Sequence, residues 1–210
     1  MDQVRNASNR GSIGLELFFS SNIAIAKFFA LSLVRDYLVS CNTNDINSES
    51  IQIIKDSVLN FLMNIFKVSN ENLDKFIINN LVSIVTLCIK IDYPEKWPSA
   101  FNDLLLFQDS SKGIEFIINV LFEFDIEVVE YKLERSQKEM AHNTVIKDRM
   151  RDDGVVEKLV DFLCLSAITT RQYMLMDLSC KSLKTLSKLI VWIDISLTIN
   201  KALPTIYQCL

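Results

Sequence analysis

The chain has 210 residues, of which 50% are hydrophobic, with 4 glycines, 3 prolines and 1 histidine. This balance excludes low-complexity disorder, which needs few apolar residues, and a turn-rich β-sandwich, which needs frequent Gly and Pro. The net charge of −4 argues against a free-standing nucleic-acid binder, because phosphate binding depends on Lys and Arg. The 5 cysteines form no CxxC pair and predict reduced, buried thiols.

Neither a membrane anchor nor a catalytic centre is predicted. Residues 1–10 are polar, and no run of about 18 uncharged apolar residues follows them, so we expect no membrane insertion. The glycines are too dispersed for a phosphate-binding loop, and adjacent carboxylates at Asp152 and Asp153 point apart on a helix. His142 has no nearby Cys or second His with which to bind a metal. We therefore expect a non-enzyme with no catalytic residue, no metal and no cofactor.

Apolar residues recur at helical spacing along the chain, and short polar breaks interrupt them. The pattern predicts helices over residues 12–20, 23–39, 51–65, 73–91, 98–107, 114–128, 136–150, 155–168 and 176–190, with Pro204 opening another. The helix over 23–39 is apolar nearly all round, which predicts that it packs between neighbouring helices. In total the sequence indicates about ten helices.

Two spacings match the capping box, in which a Ser or Thr precedes a Glu or Gln by three residues. They are Ser136 with Glu139 and Thr169 with Gln172, and each predicts the start of a helix. Gly154 lies between two helical patterns and predicts an interruption there.

The helices are expected to pair in consecutive antiparallel hairpins that begin near residues 12, 48 and 97. Such spacing lies within the broad range of HEAT and armadillo repeats. We therefore predict an all-α fold, an α-α superhelix of HEAT or armadillo-like repeats. The alternative is a compact helical bundle, which periodicity alone does not distinguish from a solenoid.

Four segments carry a resemblance to a known family: Lys27–Leu31, Phe76–Asn80 continuing to Tyr93–Leu104, Asn143–Arg151 and Val191–Asn200. The second contains a YPxxWPxxF pattern, the third an IKDxMR-like pattern and the fourth a WIDxxL pattern. In order and spacing they resemble the amino-terminal part of the tRNA exportins (exportin-T), which belong to the importin-β superfamily. The chain departs from the family at Asn80, where Lys is usual. Because tRNA exportins are several times longer, we expect this chain to be an amino-terminal fragment truncated at its carboxyl end.

The resemblance implies a nuclear export receptor that binds tRNA cooperatively with Ran in its GTP form and carries it through the nuclear pore. Its implied partners are Ran-GTP, tRNA and nuclear pore proteins, and its implied location is both nucleus and cytoplasm. Residues 1–130 would then be importin-β-like amino-terminal HEAT repeats, and 131–210 would continue them. An exportin for protein cargo and a non-transport helical scaffold are the alternatives.

The resemblance also indicates which residues to test. Polar positions on the second helix of each pair are candidates for contacts with Ran: Lys27, Arg35, Asn79 and Lys90. Basic positions in the third segment are candidates for contacts with tRNA phosphates: Lys147, Arg149 and Arg151. We expect Trp97, Trp192 and Asp194 to be structural, with Asp194 capping or pairing locally.

Overall fold

The computed structural model describes residues 9–41, 48–69, 72–130 and 134–209, and these ranges contain helices and no strands. The all-α prediction is therefore confirmed. The helices are α1 (Arg10–Ser20), α2 (Ala24–Cys41), α3 (Ser48–Asn64), α4 (Lys75–Asp92), α5 (Ala100–Leu105), α6 (Ser111–Phe124), α7 (Gln137–Asp152), α8 (Val155–Gln172), α9 (Met176–Leu189), α10 (Ile195–Leu197) and α11 (Leu203–Cys209). Wide π-helical turns extend α3 over Ile65–Ser69, α6 over Asp125–Val129 and α10 over Thr198–Ala202. In the described ranges, no helix has the length and hydropathy needed to cross a bilayer.

The chain divides into two compact units. The first comprises Met1–Ala100 and Leu106–Phe116, and the second comprises Phe101–Leu105 and Ile117–Leu210. The boundary expected at residue 130 falls inside the second unit.

In the first unit, α1 and α2 form an antiparallel hairpin with an unusually close contact at Gly14. A Cβ atom at this position would lie 2.7 Å from the Ala30 carbonyl oxygen and 2.8 Å from Val34 Cγ2. Both distances are shorter than real Cβ contacts allow, so the absence of a side chain is what lets the two helices approach. This hairpin is the first helical pair that the sequence predicts.

The first unit arranges its helices in two layers. The Phe18 ring of α1 meets the Phe61 ring of α3 edge to face, with centroids 5.0 Å apart. In the other layer α2 packs against α4, where Phe28 and Phe76 are in contact near the beginning of both helices. First helices thus lie beside first helices and second beside second, as in HEAT-like repeats.

Helix α2 only partly follows its predicted packing. Its central and final turns are buried on several sides, and Ala30, Leu31, Leu33, Val34 and Leu38 are at most 1% exposed. The first turns differ, because Ile25 is 70% exposed and Phe28 is 38% exposed. An apolar helix is therefore covered over most of its length and open at its beginning.

In the second unit, α8 packs against α9 and against the segment that ends in α11. The Ser179 hydroxyl donates to the Ala167 carbonyl oxygen at 2.9 Å, which joins α9 to α8. Lys201 donates to Asp161 and Glu157 on α8, with closest contacts of 2.7 and 2.9 Å. The hydrogen bond from Lys201 to Asp161 has the largest effect on the pKa of the lysine, and the bond to Glu157 has the second largest. Both raise that pKa, because they favour the charged form.

Two of the three predicted boundaries are confirmed. The Glu139 amide donates to the Ser136 hydroxyl at 3.2 Å, so Ser136 caps α7 as predicted. Gly154 separates α7 from α8 with a left-handed φ of 67°. The box at Thr169 and Gln172 is wrong, since both residues lie in the last turn of α8. Its spacing can start a helix only where the preceding backbone is not already helical.

The thiols follow the prediction with one correction. All five are free, and Cys41, Cys88, Cys164 and Cys209 are buried. Cys180 is exposed on α9, so the expectation of a buried thiol is wrong there.

Candidate functional site

In the part of the chain that the structure describes, no group of three or more His, Cys, Asp or Glu side chains could hold a metal ion. The single histidine, His142, is partly buried on α7. The candidate residues of the sequence are therefore considered unit by unit, by their exposure and contacts.

The YPxxWP segment has a structural role in the first unit. The amides of Lys96 and Trp97 both donate to the Asp92 carbonyl oxygen, at 2.8 and 3.0 Å, which folds the chain back at the end of α4. The Lys55 ammonium of α3 lies 3.0 Å from the Asp92 carboxylate and 5.0 Å from the centroid of the Trp97 ring. Trp97 is only 5% exposed. The prediction that Trp97 is structural is therefore confirmed.

The same region contains a deeply buried thiol. Cys88 lies one turn before Asp92, and burial strongly raises its pKa, with the nearby Asp92 charge adding to the effect. The thiol thus stays protonated at neutral pH. A protonated, inaccessible sulfur is a poor nucleophile and a poor metal ligand.

An exposed aromatic pair lies on the two helices that carry the predicted Ran contacts Arg35 and Asn79. The Phe28 and Phe76 rings meet edge to face, with centroids 5.7 Å apart and planes at 84°. They are 38% and 39% exposed. Arg35 follows Phe28 by two helical turns and Asn79 follows Phe76 by one, so both lie on the same faces as the rings. We call Phe28, Arg35, Phe76 and Asn79 the aromatic surface.

The four Ran candidates differ in their environment. Arg35 and Asn79 are exposed, and an Arg35 Nη atom lies 3.7 Å from the Asp36 carboxylate. Lys27 is partly exposed, with its ammonium 5.7 Å from the Phe18 ring centroid. Lys90 is 2% exposed, so the expectation that it faces a partner is corrected. It lies in the stretch of α4 that is buried nearly all round, where its aliphatic stem packs.

The three tRNA candidates on α7 differ in the same way. Arg149 is exposed and its Nε lies 3.1 Å from the Asp153 carboxylate. Arg151 is exposed and lies 2.6 Å from the Asp148 carboxylate. Lys147 is only 8% exposed, which corrects the expectation that it reaches phosphates. Both exposed arginines are therefore partly neutralised by carboxylates on their own helix or at its end.

Arg151 also joins two of the segments that carry the family resemblance. One of its Nη atoms donates to the Trp192 carbonyl oxygen at 3.2 Å, and its guanidinium lies 5.3 Å from the centroid of the indole. The next residue but one, Asp194, caps α10 by accepting the Ser196 amide at 2.7 Å. Hydrogen bonds from the Ser196 side chain and amide lower the pKa of Asp194. The structural roles predicted for Trp192 and Asp194 are confirmed.

Three lysines form a row on α9 that the motifs of the sequence did not point to. Lys181, Lys184 and Lys188 are spaced by three and four residues, so they lie on one helical face. From Leu178 to the end of the helix no acidic residue interrupts them. The spacing of these lysines could have been recognised in the sequence. The exposure of Phe28 and Phe76 could not, because both belong to helices that are apolar on several sides.

The two layers of helical pairs in the first unit are typical of a helical-repeat protein. The sequence model of the Exportin 1-like protein family matches residues 74–210, and the chain belongs to that family. The family is a HEAT-like helical solenoid, which confirms the predicted fold class.

Within the family, the chain is similar to proteins named exportin-T. It is 25% identical over 176 residues to exportin-T of Pongo abelii and 26% identical over 187 residues to that of Dictyostelium discoideum. These alignments cover 83% and 89% of this chain but only 18% and 16% of the relatives. Exportin-T of Saccharomyces cerevisiae (strain ATCC 204508 / S288c) is 26% identical over 237 residues, covering 100% of this chain and 21% of the relative. The chain therefore spans about a fifth of the length of these relatives.

Proposed function

We propose that this chain forms part of a nuclear export receptor for tRNA, which binds tRNA together with Ran-GTP and carries it through the nuclear pore. Membership of the Exportin 1-like family and similarity to exportin-T support the proposal. On this proposal the chain acts by recognition, and GTP hydrolysis belongs to Ran. The receptor moves between nucleus and cytoplasm and meets nuclear pore proteins on the way.

The aromatic surface is the observation that carries the Ran part of the proposal. Aromatic side chains that a partner covers, with polar groups around them, contribute most of the binding free energy at many protein interfaces. Phe28 and Phe76 provide two such side chains already in contact, and Arg35 and Asn79 provide polar neighbours. A partner that covers this surface would bury both rings without having to rearrange them.

The tRNA part of the proposal is carried by the exposed arginines of α7. RNA is recognised largely through its shape, phosphates and 2′-hydroxyl groups. Arg149 and Arg151 could exchange their present carboxylate partners for phosphate, since a guanidinium forms the same paired hydrogen bonds with either. Cooperativity follows if Ran-GTP and tRNA each stabilise the conformation that the other also prefers.

The Ran proposal is tested by binding of this chain to Ran-GTP and Ran-GDP. Replacing both rings (Phe28→Ala with Phe76→Ala) is expected to weaken Ran-GTP binding at least tenfold, because the anchors are lost. Val68→Ala is the matched control. Val68 is a 77% exposed apolar residue of the same unit, and it lies in the π-helical turn that extends α3. Equal binding of the two nucleotide forms would instead favour a non-transport scaffold.

The tRNA proposal is tested by a mobility shift with tRNA, with and without Ran-GTP. Ran-GTP is expected to raise the affinity of the chain for tRNA. Arg149→Gln is expected to lower the tRNA affinity and to make that affinity less dependent on salt. Lys158→Gln is the control, since Lys158 is an exposed cation on α8. If competitor tRNA leaves the Ran complex unaffected, the proposal of tRNA as cargo is overturned and a protein cargo is favoured.

A further inference from the structure

We draw no further inference here: the strongest candidate, the exposed apolar stripe of Ile195, Ile199, Leu203 and Tyr207 along the helical segment at residues 195–209, carries none, because nothing in the structure shows what covers it.

Discussion

The Lys55 ammonium of α3 is paired at 3.0 Å with the Asp92 carboxylate at the end of α4, and their side chains are only 4% and 3% exposed. The pair lies beside the Trp97 ring, so the lysine is enclosed by a carboxylate and an aromatic face. Removing two charges from water is costly, and their attraction offsets that cost only while both partners are present. The pair therefore fixes how α3 meets the turn after α4.

Lys55→Met is expected to destabilise the chain strongly, because it leaves the Asp92 carboxylate buried without its cation. The free energy of unfolding should fall by about 3–5 kcal/mol, measured by urea denaturation. The double variant Lys55→Met with Asp92→Leu should recover most of the loss, since neither charge then remains. The exposed pair of Lys67 with Asp109, at 3.7 Å, provides the control, and Lys67→Met should cost at most about 1 kcal/mol. A double variant less stable than either single variant would contradict this account.

Arg151→Met is expected to cost more stability than Arg149→Met, although both remove an exposed arginine from α7. Arg151 contacts Trp192 through a hydrogen bond and its guanidinium face, whereas Arg149 pairs with Asp153, four residues along the chain. The loss should be about 1 kcal/mol for Arg151 and about 0.3–0.5 kcal/mol for Arg149. Urea denaturation of both variants measures the difference, and equal losses would show that the contact with Trp192 contributes nothing.

Cys180 is expected to react first with a thiol reagent such as DTNB at neutral pH. It is the exposed thiol of α9, whereas burial raises the pKa of Cys41, Cys88 and Cys164. One equivalent should therefore react rapidly in the folded chain, and the rest should follow only after denaturation. Cys180→Ser is the control and should abolish the rapid phase. A rapid phase that persists in this variant would contradict the predicted burial.

Asp194 is expected to make the stability of the folded chain depend on pH. Its pKa is lowered by hydrogen bonds from Ser196, so its stabilising effect is complete above the ordinary pKa of Asp and is lost as pH falls through the folded-state value. Asp194→Ala should therefore lower the melting temperature at pH 7, and this difference should shrink below about pH 4. Asp194→Asn is the matched control, because Asn caps helices comparably at every pH. A difference between wild type and Asp194→Ala that does not change with pH would contradict the role of the carboxylate.

The helices were predictable because their apolar spacing is a local property of the sequence. The cap at Ser136 was predictable for the same reason, since the hydroxyl and the Glu139 amide are three residues apart. The box at Thr169 failed because a local pattern does not show that the preceding chain is already helical. The all-helical content thus followed from periodicity, and exact helix boundaries depended on neighbouring turns.

The exposure of individual side chains was much less predictable. Lys90 and Lys147 looked like surface cations, yet both are buried, because a lysine stem can pack under a neighbouring helix that the sequence does not identify. Phe28 and Phe76 looked like core residues and are exposed.

Gly14 and Gly154 restrict which substitutions this sequence can accept during evolution, for two different physical reasons. At position 14 the restriction is space: even an alanine methyl would push α1 away from the Ala30 carbonyl oxygen and carry Phe18 off its partner ring. At position 154 nothing lies within 4 Å, and the restriction is the left-handed backbone. Asn or Asp can adopt that backbone, so they are acceptable replacements there and not at position 14. Descendants of this chain are therefore free to lose one glycine and not the other.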